Sequence, residues 1–62
     1  MAANFLIVDD SKIMRQMIKR TLFMAVLDIL EVYEAADGLE AFAQLARHEV
    51  GVVMLVIKMP FM

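Results

Sequence analysis

Two short runs in this chain, Phe5-Leu6-Ile7-Val8 and residues 52–57, are apolar at every position. A strand with one wet face alternates apolar and polar residues, whereas an uninterrupted apolar run marks a strand buried on both faces, as in a parallel sheet. Between the two runs the rhythm changes. Ile13, Met14, Met17, Ile18, Thr21, Leu22 and Ala25 recur at intervals of three and four, with Lys12, Arg15, Gln16, Lys19 and Arg20 on the other side. That spacing predicts an amphipathic helix over 11–26. Its end is apolar nearly all round, because Phe23, Met24, Val26 and Leu27 widen the stripe. The alternation in Glu31-Val32-Tyr33-Glu34-Ala35-Ala36 predicts a more exposed strand over 31–36, at a sheet edge. Asp37-Gly38-Leu39-Glu40 then has the form of a capping box, opening a second helix over 38–48 with Leu39, Phe42, Ala43, Leu45 and Ala46 on its apolar side. The outer runs become strands over 4–9 and 52–57, and Pro60 prevents the last from continuing its ladder. Strand, helix, strand, helix, strand predicts an α/β unit over residues 1–62, a parallel sheet with right-handed crossovers and one helix on each face.

Size sets the next constraint. At 62 residues a monomer buries only about 60% of the surface that its unfolded chain exposes, and two helices cannot cover both faces of three strands. Staples are missing: the chain has no Cys and one His, which excludes a disulfide and the usual zinc sets. Oligomerisation remains as the source of further burial. The composition agrees, since 63% of residues are hydrophobic, well above the roughly 45–50% apolar share of an average domain. No uninterrupted apolar run comes near the ~18 residues that a membrane span requires. Met1 to Asn4 lack a basic leader region, so no secretory signal is expected. A net charge of −2 with dispersed basic residues argues against nucleic acid as a partner.

Folds of this class place their chemistry at the carboxyl ends of the strands. Asp9 and Asp10 end the first strand, and Lys58 lies just past the third. Adjacent carboxylates are hard oxygen ligands suited to Mg²⁺; the alternative is that Asp10 or Ser11 caps the first helix while Asp9 is solvated. His48 falls at the end of the second helix, where a solvated cation suits the helix dipole. Met14, Met17 and Met54 follow the periodicity of the elements and read as core filler. Ser11 and Thr21 have no partner for a nucleophilic triad, and there is no glycine-rich phosphate loop.

Phe5-Leu6-Ile7-Val8-Asp9-Asp10-Ser11 with Met14-Arg15, then Val32-Tyr33-Glu34-Ala35-Ala36-Asp37-Gly38-Leu39-Glu40-Ala41, then Val53-Met54-Leu55 and Met59-Pro60, together resemble the first half of a bacterial response-regulator receiver domain, of the chemotaxis-regulator kind. The motifs come in the family's order and spacing over nearly the whole chain. The resemblance implies the βαβαβ half of a flavodoxin-like, doubly wound parallel sheet with strand order 2-1-3. It also implies that Asp9, Asp10 and the backbone carbonyl of Lys58 stand where the family binds Mg²⁺. The phosphoacceptor Asp of the family precedes the Met-Pro pair by three residues, and here that position is Val56. An isopropyl group is neither nucleophile nor ligand, so no catalysis is expected, no cofactor is required, and Mg²⁺ binding is at most weak.

Other departures from the family pattern add apolar surface: Phe23 on the outside of the first helix, Val26 in place of a turn glycine, and the bulky Phe5, Phe42 and Phe61. For Phe5 and Phe42 taken singly, a bulky core residue is the simpler reading. Gly51 stands where an Asp commonly precedes the third strand. Taken together the changes point to selection or engineering for burial. The expected function is a truncated, receiver-like scaffold that self-associates as a homodimer, with Phe23, Val26, Val52, Met54, Val56, Phe61 and Met62 at the interface. The alternative is a degenerate signalling receiver that binds a kinase or effector partner, and a third possibility is an aggregating fragment. The resemblance implies the cytoplasm or, for an engineered chain, recombinant production only.

Overall fold

β1 (Ala3–Val8), α1 (Lys12–Ala25), β2 (Ile29–Ala35), α2 (Gly38–Arg47) and β3 (Val52–Leu55) follow one another in the computed structural model, which describes residues 2–26 and 28–56. The three strands form one sheet in the order β2-β1-β3, with β1 parallel to both neighbours. This is an α/β arrangement, half of a flavodoxin-like fold. Successive β1 side chains point to opposite faces, and each face has its own core. Phe5 and Ile7 pack with Leu22 of α1 and Val32 of β2, while Leu6 and Val8 pack with Ala35, flanked by Tyr33, Ala41 and Val50. Leu6 and Ile7 are 0% exposed.

Local chemistry accounts for the helix ends. Ser11 caps α1, its Oγ accepting from the Met14 N–H at 3.2 Å, and the Val26 N–H closes the helix on the Leu22 carbonyl at 2.8 Å. Asp37 Oδ1 accepts from the Glu40 N–H at 2.9 Å. Glu40 reaches back as expected but meets the Ala36 N–H, at 3.2 Å, one residue before the cap.

Several elements depart from the sequence reading. β2 begins at Ile29, two residues earlier than the alternation suggests, because Ala3 pairs with Ile29 across a register shift and its N–H donates to the Asp28 carbonyl at 3.1 Å. β3 ends at Leu55, although the Val56 N–H still donates to the Val8 carbonyl at 3.1 Å; the expected last strand residue, Ile57, lies outside the described residues. The larger correction concerns burial. β3 is not covered on both faces: Val52, Val53 and Leu55 are exposed and Met54 is half-buried, because both helices pack over β1 and β2.

The helices are also rotated relative to the expected stripes. On α1 the sheet-facing residues are Arg15, Ile18, Leu22 and the capping Val26, while Ile13 is 75% exposed and Met14, Met17, Phe23 and Met24 are exposed as well. On α2 it is Ala41, Gln44 and the capping His48 that lie inward; Phe42 is 73% exposed and so not a core residue. The cause is Glu34 on the outer strand β2. Its carboxylate accepts from Arg15 Nε at 3.0 Å and Gln16 Nε2 at 3.4 Å, and pairs with Lys19 Nζ at 4.0 Å. Its carbonyl accepts from Gln44 Nε2 at 3.1 Å. Both helices are thereby drawn toward β2, and on α1 the flank with Met14 and Met17 is left beside Met54 of β3.

The buried pair on β1 should dominate stability. Leu6→Ala is expected to cost about 2–5 kcal/mol, whereas Ile13→Ala should stay within about 0.5 kcal/mol. Urea unfolding followed by circular dichroism measures both; equal costs would contradict the packing described.

Candidate functional site

The carboxyl ends of β1 and β3 open onto a shallow cleft of about 300 Å³ lined by Val8, Asp9, Asp10, Asp37, Leu55 and Val56, among others. Asp9 is held there from several sides. Its N–H extends the β1–β2 ladder to the Ala35 carbonyl at 3.1 Å, and its own carbonyl accepts from Arg15 Nη1 at 2.6 Å. Its Oδ1 accepts from the Ser11 N–H at 3.0 Å. Only 3% of Asp9 is exposed, so the reading of Asp9 as a solvated residue does not hold. Asp10, one residue further, is exposed. The helix cap is Ser11 rather than Asp10.

Val56 closes the opposite wall of the cleft, brought beside Asp9 and Asp10 by its ladder bond to Val8. Among the residues expected at the site, the structure therefore brings Asp9, Asp10 and Val56 together. Lys58, and the expected interface residues Phe61 and Met62, lie outside the described residues. Of the other expected interface residues, Phe23 is exposed on α1, Val26 packs half-buried against the α1-side core, Val52 is exposed and Met54 reaches that same core.

Sequence reasoning missed three features. Asp37, read as a cap, also lines the cleft. Arg15, read as a solvated face of α1, links β1 to β2 through Asp9 and Glu34. His48, read as solvated, is half-buried and stacks on Tyr33 with ring centroids 3.9 Å apart and planes 11° from parallel. The polar residue Glu34, two positions after Val32 on the same face of an alternating strand, was the available signal for the second of these.

Residues 5–62 match the family model for the response regulator receiver domain. The chain belongs to the response regulator receiver family. No curated protein and no solved structure matches it. As a receiver, the chain presents its acidic pair at the expected end of β1, and its donor set can be tested against the Mg²⁺ that the resemblance implies. The fit is poor. One oxygen of Asp9 already accepts from Ser11, Asp37 Oδ1 is engaged by the Glu40 N–H, and the Val56 side chain offers no oxygen to the cleft. Among the described residues no three His, Cys, Asp or Glu side chains gather into a set that could hold a metal ion. No helix among them is long and apolar enough to cross a membrane.

Arg15 is the receiver's chief cross-link at this end of the sheet. Arg15→Ala should lower stability by about 1–3 kcal/mol, since part-buried acceptors lose charge-assisted bonds. Arg15→Lys should recover little of it, because a single ammonium cannot serve Asp9 and Glu34 in the forked geometry of a guanidinium. Denaturant midpoints of the two variants check this; full rescue by Lys would show that charge alone matters.

Proposed function

We propose that this receiver is a self-associating structural module, a homodimer without phosphoryl-transfer chemistry. The observation that carries the reading is the exposure of large apolar side chains along β3 and on both helices, including Met17, Phe42, Val53 and Leu55. A monomeric surface seldom exposes so many large apolar side chains, and exposed apolar surface of this extent marks sites of association. A two-fold arrangement is the commonest closed form and enlarges the core without new sequence. The absence of chemistry is supported by Val56. Phosphoryl uptake requires a nucleophilic oxygen, and the side chain beside the acidic pair is a hydrocarbon. With Asp37 Oδ1 engaged at the helix cap and a hydrocarbon side chain at Val56, Mg²⁺ binding at Asp9 and Asp10 is weak, and nothing in the module depends on it.

Light scattering across a dilution series through the micromolar range should read twice the 7.0 kDa chain mass at the upper end; a stably folded monomer throughout would overturn the proposal. The chemistry is tested separately. Val56→Asp, incubated with acetyl phosphate and Mg²⁺, should gain no phosphoryl mass, and neither should the parent chain. Uptake by the variant would show that the rest of the receiver site is still functional.

A further inference from the structure

Resting on the self-association proposed above, we infer that two copies join through the outer edges of their β3 strands, antiparallel about a two-fold axis normal to the sheet. The product is one continuous six-stranded sheet, with the two α1 helices on one face and the two α2 helices on the other.

The two edges of the sheet differ in kind. At the β2 edge Glu34 gathers Arg15, Gln16, Lys19 and Gln44, so charge and side-chain hydrogen bonds seal it. Such polar edges resist strand addition. At β3 the backbone is the available partner. The Val56 N–H bonds to β1, and the register pairs Leu6 with Val53 and Val8 with Leu55, so the ladder alternation sends the N–H and C=O of Val53 and Leu55 to the outer edge, which no other described strand pairs.

Both faces next to that edge are apolar. On the α1 face Met54 and the helix residues Met14, Met17, Ile18 and Thr21 line a groove of about 290 Å³. On the α2 face, the bond from Gln44 to the Glu34 carbonyl fixes one flank of the helix over β2. Helical geometry then places Leu45 and Phe42 on the flank toward β3. Among the described residues neither flank carries an ionisable side chain, so two copies with the same net charge of −2 meet there without apposed charges from these residues.

Symmetry selects the second copy as the occupant. A two-fold axis normal to the sheet keeps each face on its own side, so α1 meets α1 and α2 meets α2, with β3 side chains from both copies between them. The pairing must be antiparallel, because two parallel copies in equal register would set N–H against N–H. The area is also adequate. At roughly 100 Å² for each large exposed apolar side chain, burying Met14, Met17, Phe42, Leu45, Val53 and Leu55 removes about 600 Å² per protomer, most of the ~800 Å² per partner of a standard interface. Phe23 and Val26 lie on the β2 side of α1 and stay outside this contact.

Amide hydrogen exchange on the dimer reads the edge directly. With β3 paired on both sides, the Val52, Val53, Met54 and Leu55 amides should all be protected. Protection of Val52 and Met54 alone, with Val53 and Leu55 exchanging freely in a chain of dimeric mass, would overturn edge pairing while leaving self-association intact. A chain monomeric at every concentration would instead overturn the reading on which this rests. Val53→Pro removes an outward N–H, and Leu55→Lys places a charge at the edge; either should halve the mass seen by light scattering. A folded variant that keeps the dimeric mass would count against the edge. Should either variant fail to fold, the exchange pattern of the parent chain decides alone.

Discussion

β1 is the described strand that is paired along both edges and covered on both faces, and every other element is positioned by its contact with it. Leu6 and Ile7 point in opposite directions, each completely buried, so one strand serves as the floor of two separate cores. A domain this small has few such residues, and the parallel order β2-β1-β3 follows from the need to shield this run from water on all sides. The same pairing brings Asp9 to the end of the sheet, with its backbone already engaged by Ala35 and Arg15.

Glu34 decides how the helices lie on that floor. Its carboxylate draws the Arg15, Gln16 and Lys19 side of α1 toward β2, and its carbonyl draws Gln44 of α2 to the same edge. A more symmetric seating over the sheet would have hidden more of the methionine stripe on α1. Instead Met14 and Met17 are left beside Met54, and Phe42 and Leu45 are exposed on α2. The polar edge and the apolar edge are thus two consequences of one cluster of hydrogen bonds. Small scaffolds without disulfides or metals need additional burial from somewhere, and here part of the unburied apolar surface, Met17, Val53 and Leu55 among it, lies on β3 and beside it.

The acidic cleft of this receiver has a hydrocarbon on one wall. Asp9 and Asp10 sit at the end of β1, and the residue that the β3 ladder sets across from them is Val56. A β-branched hydrocarbon at the end of a strand favours the extended backbone and extends the apolar character of β3 up to the cleft. The same side chain therefore bears on both halves of the proposed function, since it withholds an oxygen from the cleft and continues an apolar strand.

The order of elements, their approximate spans, the caps at Ser11 and Asp37 and the position of the acidic pair were legible along the chain, because each depends on spacing within a few residues. Apolar runs announce strands, three-and-four periodicity announces helices, and a short polar side chain before an apolar helix announces its start. Which side of each helix faces the sheet was not legible. Both helices carry apolar residues around more of their circumference than the sheet can cover, so periodicity leaves several orientations of similar burial. The choice among them came from contacts between residues far apart in sequence, Arg15 with Glu34 and Gln44 with Glu34. The exposure of β3 has the same origin: its residues read as buried because they are apolar, but burial requires something to pack against them, and within a single chain the helices lie elsewhere.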